Sequence, residues 1–415
     1  MSVHRIEFEL DHFPSYLPWL SEYRHFCLLL DPSASKASLA IGASSLFMAI
    51  ERNALGDFSK WLENKRAFGY ISYDLKNEIE ALESRNPSAH NIPEIQFFEA
   101  ECLIEYSEGR VCIDSKKPEL GVRVQSLLLQ EHPQEHSHLE LTPIKSLSRD
   151  EYLNQIKLVQ GHLQRGDIYE MNFCQEFVFK AKGFDPYWRF HRLMEESPMP
   201  FSSFMRFDDF FSLSASPERF LKREGTRLLS EPIKGSLRRS TDLKEDLILQ
   251  EQLKSSKKDK AENIMIVDLV RNDLSRVAEK SSVQVEALNE LHSFKGIHQL
   301  ISRVSCEIPP SIKIDDILKA SFPMGSMTGA PKVSSMKIIE DLENFKRSIF
   351  SGSIGHFQEN GDFDLNVVIR SLFFSEGNAT LSYAAGGAIT ILSDPAEEYE
   401  ESLLKLKAIR RVLEN

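Results

Sequence analysis

Strand-like segments of this chain follow one another through tight turns, and helical stretches are gathered between these groups. The clearest case is Asn360-Gly361, which lies between apolar segments at 353–357 and 365–374. An Asn-Gly pair favours the two-residue turn that joins antiparallel strands. A second turn at 375–378 leads to a third predicted strand. Strands grouped in this way form antiparallel sheets, so the sequence predicts a layered α+β fold and not an alternating parallel one.

Apolar periodicity places the other elements. Further strands are predicted at 5–10, 27–30, 68–73, 95–106, 168–179, 210–215 and 220–229. Helices are predicted around 46–64, from 243 to 278 and from 396 to 413.

One more helix has clear start and stop signals. Ser148 with Glu151 three residues later forms a capping box, and Gly166 suits the end. Between them, apolar residues recur at helical spacing: Tyr152, Ile156, Val159 and Leu163.

A polar, histidine-rich connection spans about 127–150 and marks the predicted boundary. Residues 1–147 are predicted to contribute strands, and residues 148–415 contain the candidate functional motifs.

Charge and composition exclude some functions. The formal net charge of −12 disfavours non-specific binding to nucleic acid and to anionic membranes, because both would repel the average surface. The five cysteines are widely spread, without the close pairs of a zinc site. Since no basic flank precedes an apolar run at the N-terminus, and no apolar stretch approaches a membrane span, we predict a cytoplasmic protein.

Two acidic pairs have helical spacing. Asp259 and Glu262 are three residues apart and share a helix face, and Glu398 and Glu401 repeat this arrangement. Carboxylates from two helices can hold one magnesium ion, which prefers oxygen ligands. Spacing alone equally fits two solvated helix faces.

Three further segments have a possible chemical role. Lys234 in the segment PIKGS would be a nucleophile if a dry pocket held it uncharged, although most lysines are solvated. The loop FPMGSMTGAPK at 322–332 and the segment AAGGAI at 384–389 contain glycines that permit close backbone approach to an anion. An ordinary connection and a tight turn are the respective alternatives.

Six motifs taken in order resemble those of the chorismate-utilising enzymes, the family of anthranilate, aminodeoxychorismate, isochorismate and salicylate synthases. The motifs are GDIYEMNFCQEF, SPERF, PIKGS, AENIMIVDLVRNDLSRV, FPMGSMTGAPK, and YAAGGAI followed by SDPAEEYEESLLKLKAI. The resemblance covers about 150–413 and implies a large α/β sandwich of two packed antiparallel sheets with helices outside.

The resemblance also implies a magnesium site. By motif, Glu262 and Glu401 would hold Mg²⁺, which in turn would bind the ring carboxylate of chorismate. Asp259 and Glu398 stand at supporting positions.

The resemblance separates the reactions of the family at Lys234, where aminodeoxychorismate synthases have lysine and the other members usually have alanine. It implies covalent attack by Lys234 on chorismate, Glu218 as general acid, and entry of ammonia at C4, a step of the folate and para-aminobenzoate pathway. The lysine that activates water in isochorismate and salicylate synthases is matched to Met171, which disfavours that chemistry.

The remaining site residues are assigned in the same way. The substrate is expected to contact the following residues: Gln299, Thr328, Lys332, Phe350, Arg370, Gly386 and Gly387. Three positions depart from the family pattern: Gln299 replaces a histidine, with His298 expected on the opposite face of its strand, Phe350 replaces a frequent tyrosine, and Ala388 replaces a glycine.

Two alternatives remain open. An anthranilate synthase component I would aminate C2 and release pyruvate, and a non-catalytic chorismate-binding subunit would do neither. Because no cysteine-nucleophile amidotransferase domain is evident, the resemblance implies that a separate glutaminase subunit delivers the ammonia.

Overall fold

The structure is a computed structural model that describes residues 3–49, 53–134 and 138–414. No helix in these three ranges is long and apolar enough to cross a membrane.

The described residues form twenty strands and eleven α-helices. The strands are β1 (His4–Glu9), β2 (His25–Asp31), β3 (Lys36–Ala49), β4 (Ala67–Ile71), β5 (Ile95–Ser107), β6 (Arg110–Ser115), β7 (Glu140–Lys145), β8 (Glu170–Lys182), β9 (Phe201–Phe207), β10 (Phe210–Ser216), β11 (Arg219–Glu224), β12 (Arg227–Glu231), β13 (Ile233–Arg238), β14 (Gln284–Phe294), β15 (Ile297–Glu307), β16 (Gly329–Ala330), β17 (Ser353–Phe357), β18 (Phe363–Asn366), β19 (Ser371–Ser375) and β20 (Thr380–Ile389). The helices are α1 (Ala54–Leu62), α2 (Lys76–Ile79), α3 (Pro118–Leu129), α4 (Arg149–Arg165), α5 (Pro186–Glu196), α6 (Leu243–Ser255), α7 (Lys257–Ser275), α8 (Ile314–Ser321), α9 (Lys332–Leu342), α10 (Pro395–Lys405) and α11 (Lys407–Leu413).

The strands make two layers that are joined by hydrogen bonds. The first layer has the order β7–β8–β20–β19–β10–β9–β2–β3–β5–β6–β1, with β16 beside the start of β8. The second has the order β4–β17–β18–β11–β12–β15–β14, and β13 also pairs with β15. Residues 95–99 of β5 pair with β4, whereas residues 102–107 pair with β6, so β5 belongs to both layers. Every pairing is antiparallel, which confirms the predicted α+β sandwich.

Apolar side chains fill the space between the layers and the space under the outer helices. Cys27 and Met205 of the first layer share one core with Phe220 and Leu228 of the second. On the other face of the first layer, Phe26 belongs to a second core, which is covered by the helices α3, α5 and α11. Because alternate residues of a strand face opposite ways, β2 contributes to both cores.

The capping box predicted for α4 is present. The Ser148 hydroxyl accepts from the Glu151 amide, the Glu151 side chain accepts from the Ser148 amide, and Gly166 ends the helix in the left-handed region with φ of 77°. The predicted apolar face packs against β8 and α9 in a third core.

Several predicted elements are divided in the structure. The helix predicted at 46–64 is wrong at its start, because 46–49 continues β3; residues 50–52 lie outside the described part. The predicted strand at 220–229 is two strands, β11 and β12, that turn at Gly225 with φ of 61°. The two long helices are interrupted at Ser256 and Leu406, and the strand predicted at 365–374 is interrupted between β18 and β19.

Candidate active site

A cleft collects most of the residues that the motifs single out. Its lining includes these predicted residues: Glu218, Lys234, Asp259, Glu262, Gln299, Phe350, Arg370, Gly386, Gly387, Glu398 and Glu401. They come from eight separate stretches of sequence, which the fold brings to one place.

Two segments that cross between the layers form one wall of the cleft. Glu218 follows β10 of the first layer and precedes β11 of the second, and Arg370 lies between β18 of the second layer and β19 of the first. The crossing segments are bonded together: the Val367 amide donates to the Glu218 carbonyl at 3.0 Å, and the Ala215 amide donates to the Arg370 carbonyl at 3.2 Å. The backbone therefore fixes the acid and the guanidinium relative to each other.

Glu218 is buried, and Arg370 is partly exposed. Burial raises the pKa of Glu218 to about 7, against the lowering effect of Ser326, Lys234 and Arg370. Burial lowers the pKa of Arg370 to about 10, so this residue remains a cation at neutral pH. Arg370 also has a left-handed backbone with φ of 53°, a strained conformation that often marks functional sites. Within the described ranges, no carboxylate is at ion-pair distance from its guanidinium.

Lys234 reaches the cleft through an irregularity in β13. The register between β13 and β15 shifts between Ile233 and Ser236, which leaves Lys234 and Gly235 outside the regular ladder. Gly235 has φ of 82°, and a Cβ there would lie 2.9 Å from the Cβ of Asp259. The glycine therefore permits both the turn of the chain and the close approach of α7.

The Lys234 amine is held by a buried carboxylate. Its Nζ donates to Oε1 of Glu170 at 2.8 Å, and the two residues are 9% and 1% exposed. Burial lowers the pKa of Lys234, but Glu170 and Glu262 raise it by more, so the net direction is upward. In this structure the lysine is thus an ion-paired cation, whereas the predicted nucleophile is uncharged.

Sequence reasoning missed Glu170 and named its neighbour Met171. The Met171 side chain packs in the third core, with α4 and α9, on the face of β8 opposite Glu170. Asn172, two residues after Glu170, lines the cleft. The alternation of side chains along a strand is the signal that would have selected Glu170 and Asn172 in place of Met171.

The four carboxylates proposed for magnesium line the cleft, but lysines stand between them. The Lys258 ammonium lies 3.0 Å from Oε1 of Glu398 and 3.9 Å from Oε1 of Glu262. Glu401 is paired with Lys405 at 2.9 Å, and Lys405 lowers its pKa. Among the described residues, no group of three His, Cys, Asp or Glu side chains is close enough to hold a metal ion in this arrangement.

The donor set nevertheless fits a hard cation. Oε1 of the buried Glu262 has no hydrogen-bond partner, and burial raises the pKa of this carboxyl to about 7. An unpartnered buried carboxylate oxygen is costly unless a cation approaches it. The Lys258 ammonium already occupies the space between Glu262 and Glu398, which shows that this space accepts a positive charge.

Thr328 and Lys332 are not in the cleft lining, so their predicted substrate contacts are not supported. The Thr328 hydroxyl is fully buried and donates to the Met324 carbonyl at 3.1 Å. Lys332 donates to Asp273 at 2.6 Å on the side of α7, and burial raises the pKa of Asp273 to about 6. Ser326 and Met327, of the same loop, line the cleft in their place.

Neighbouring residues of β15 face opposite ways. Gln299 lines the cleft, and its Oε1 has no hydrogen-bond partner. The ring of His298 lies on the other face, between Asp246 at 3.0 Å and Ser293 at 2.7 Å. An unpaired amide oxygen in a cleft is available to a ligand.

The glycines at 386 and 387 lie inside a strand. They belong to β20 and pair with Cys174 and Phe173 of β8, so the alternative of a tight turn is wrong. Lys405 donates to the Gly386 carbonyl at 3.0 Å, which ties α10 to this strand.

A buried ion pair beneath the cleft was also missed from sequence. Arg347 pairs with Glu343 at 2.6 Å and donates to the carbonyls of Asn172 and Met327. This guanidinium fixes the backbone of two lining residues. Because Arg347 and Glu343 lie outside the predicted motifs, only their contacts in the fold reveal this role.

Comparison with known proteins assigns the family. The family model described as "chorismate binding enzyme" matches residues 32–411. The chain therefore belongs to the chorismate binding enzymes, the class that its fold and its cleft had indicated.

Its relatives define a narrower group. The chain is 36% identical over 352 residues to a protein of Klebsiella aerogenes named aminodeoxychorismate synthase component 1, a match that covers 84% of this chain and 77% of that protein. The protein of the same name from Escherichia coli is 35% identical over 350 residues, with the same two shares.

Solved structures share the fold. Anthranilate synthase component I from Streptococcus pneumoniae superposes with a TM-score of 0.76 at 23% identity, covering 98% of this chain and 92% of that one. The menaquinone-specific isochorismate synthase of Escherichia coli gives a TM-score of 0.78 at 18% identity, covering 100% and 94%. At these identities the likeness concerns architecture only.

Proposed function

We propose that this chain is an aminodeoxychorismate synthase component that replaces the C4 hydroxyl of chorismate with an amino group. The observation that carries this proposal is the buried Lys234 amine, which shares a cleft with the acid Glu218 and the cation Arg370. The names of the Klebsiella aerogenes and Escherichia coli relatives support it.

In the first step, the uncharged Lys234 amine attacks C2 of the ring. The two ring double bonds shift, the C4–oxygen bond breaks, and Glu218 gives its proton to the departing hydroxyl, which leaves as water. The raised pKa of Glu218, about 7, keeps part of this carboxyl protonated at neutral pH, as the step requires. The product is a covalent adduct whose secondary amine nitrogen carries the positive charge.

In the second step, ammonia adds to C4 and the double bonds shift back. The C2–nitrogen bond breaks, and Lys234 leaves as a neutral amine with the electron pair of that bond. The amino group of the product carries the positive charge, and the enolpyruvyl ether is untouched. One ammonium ion supplies both the ammonia and the proton that restores the acid form of Glu218, and one water is formed overall.

Two groups of residues would bind the substrate carboxylates. Arg370, which lacks an ion-pair partner in the described ranges, would bind one. Glu262 and Glu401, supported by Asp259 and Glu398, would hold Mg²⁺, which supplies positive charge for the other. Lys258 and Lys405 would have to give up their present carboxylate partners to admit the ion.

The ammonia would come from a separate glutaminase subunit. The words "component 1" in the names of the two relatives support a second component. The proposed reaction would place this chain in the synthesis of para-aminobenzoate and folate.

Mass spectrometry of the intact protein tests the covalent step. Wild type mixed with chorismate and Mg²⁺, without ammonium, should gain the mass of chorismate less water on the peptide that contains Lys234. The Lys234→Ala variant should show no such mass and no aminated product when ammonium is added. A wild-type protein that forms product but never this adduct would refute the mechanism.

Pyruvate release separates the two amination reactions. With chorismate, ammonium and Mg²⁺, the proposed reaction retains the enolpyruvyl group, so pyruvate should stay at background. Substantial pyruvate without any added lyase would favour anthranilate synthase, and a chain inert to all three reactants would favour a non-catalytic subunit.

A further inference from the structure

We propose that Glu170 is the base that takes the proton from Lys234, so that the lysine enters the reaction as a neutral amine. The inference rests on the proposed function and assigns to this site a residue that its motifs did not suggest.

The geometry suits direct proton transfer. Lys234 Nζ and Glu170 Oε1 are 2.8 Å apart, within the range at which a base can take a proton without an intervening water. Glu170 is 1% exposed, and its other oxygen, Oε2, has no hydrogen-bond partner. The carboxyl group is therefore shielded from solvent, with one oxygen on the lysine.

The backbone holds Glu170 in place from two sides. Glu170 pairs with Ala330 of β16, and its backbone carbonyl accepts a hydrogen bond from the Ser335 hydroxyl of α9 at 3.3 Å. Because β8 continues as a strand of 13 residues paired on both sides, the carboxylate lies on rigid secondary structure and not on a loop.

Other carboxylates face Lys234, but each has another role or partner. Glu218 stands beside the leaving hydroxyl and must donate a proton, not accept one. Glu262 and Glu401 lie near the Lys258 and Lys405 ammonium groups, at 3.9 and 2.9 Å, and Lys234 is not within ion-pair distance of either. Among the described carboxylates, Glu170 alone is within that distance of Lys234 Nζ.

A dry site brings the charged pair and the neutral pair close in free energy. Both ions lose hydration when they are buried, and the neutral amine and carboxylic acid avoid that cost. A substrate that fills the cleft displaces water and shifts the balance toward the neutral pair. One proton moves from Nζ to a Glu170 oxygen, the nitrogen keeps its lone pair, and no other reactant is needed.

Glutamine at position 170 provides the test, because it keeps the size and the carbonyl oxygen but cannot accept the proton. The measured quantity is the single-turnover rate of adduct formation by quenched-flow mass spectrometry. Between about pH 5 and about pH 6 Glu218 stays largely protonated, and the wild-type rate should be nearly flat because the proton moves inside the pair. In Glu170→Gln the lysine must lose its proton to solvent, so the rate should be about 100-fold lower near pH 6 and rise about tenfold per pH unit.

Two variants are the controls. Glu170→Asp keeps a carboxylate and should keep the flat profile even if the rate falls. Glu176→Gln changes another buried glutamate of β8, which lies 3.8 Å from Lys145 and outside the cleft, and should leave rate and profile unchanged. If Glu170→Gln shows no cooperative unfolding, and is therefore not folded, the Glu170→Asp variant is the test. A flat pH profile of its adduct-formation rate supports the inference, and a rise of about tenfold per pH unit overturns it.

The outcomes separate the inference from the function beneath it. A wild-type protein without the Lys234 adduct refutes the proposed mechanism. A wild-type adduct together with a Glu170→Gln variant of equal rate and equal pH profile refutes only the role of Glu170.

Discussion

Glu218 and Lys234 have opposite protonation requirements, and their surroundings act on them differently. Glu218 lies buried where the chain crosses between the layers, and burial raises its pKa to about 7, which favours the acid form. Lys234 lies against a carboxylate that favours its cation. The acid is therefore ready before substrate arrives, whereas the amine becomes reactive only after its proton has moved.

The turnover number should depend on pH through Glu218. Its acid form is present below a pKa of about 7, so kcat should fall as pH rises through 7. Glu218→Gln cannot protonate the leaving hydroxyl and should lower kcat by about 10² to 10⁴-fold. Steady-state rates from about pH 6 to about pH 9 measure both effects. Glu176→Gln removes a carboxyl whose pKa is likewise raised to about 7, but outside the cleft, and should keep the wild-type profile; the same profile in Glu218→Gln would contradict the assignment.

At the scale of elements, close packing of α7 against β13 brings the carboxylates to the lysine. The helix begins at the Ser256 cap, whose hydroxyl accepts from the Asp259 amide, and it presents Glu262 toward the cleft. The sequence pattern predicted one helix over 243–278, whereas the structure has two, α6 and α7, that meet at Ser256. The N-cap role of Ser256 can be recognised only from the path of the chain in the structure.

Gly235→Ala should lower activity more than stability. The added Cβ would meet Asp259 at 2.9 Å and push α7 away from β13, which separates Glu262 from Lys234. A displacement of about 1 Å in an active site costs roughly 100-fold in rate. Gly225→Ala is the matched control, because its φ of 61° imposes a similar backbone strain and nothing lies within 4 Å. Rates and thermal midpoints of both variants measure the difference, and equal activities would show that the spacing is unimportant.

Ser148→Ala should lower stability without changing activity. Loss of the capping box of α4 costs about 1 kcal/mol, which in a chain of this size moves the thermal midpoint by about 1 °C. Ser126→Ala, an exposed position inside α3, should be neutral or slightly stabilising. Differential scanning calorimetry of both variants is the measurement, and identical midpoints would show that the cap contributes nothing.

At the scale of the whole molecule, sequence patterns were sufficient for the fold class, and eleven of the thirteen predicted site residues line the cleft. The Asn360-Gly361 hairpin and the α4 caps depend on residues that are neighbours in sequence. The six motifs can likewise be recognised from the sequence alone. Strand alternation could have selected the position of Glu170, but not its pairing with Lys234, which is 64 residues away. Arg347 could not be assigned in this way, because its contact with Asn172 spans 175 residues. Thr328 and Lys332 lie outside the cleft lining, because a motif does not show which way a side chain points.

The N-terminal region should be inseparable from the rest. The strand β2 pairs with β9, β4 pairs with β17 and β7 pairs with β8, so a fragment of residues 148–415 would expose three unpaired strand edges. We expect this fragment to lack cooperative thermal unfolding by circular dichroism, and coexpression with residues 1–147 to restore it. A fragment that melts cooperatively and binds chorismate alone would establish an independent catalytic domain after residue 148.

The strands β3 and β5 are paired from one layer into the other, with a single register shift between Ala43 and Ser45. If one layer slid over the other, the hydrogen bonds between these strands would have to break, so the two layers should resist sliding. The walls built on the sheet should keep their separation through a catalytic cycle. Entry and exit of reactants must then depend on the parts outside the ladder, the two helices α7 and α10 whose lysines now bridge the carboxylates.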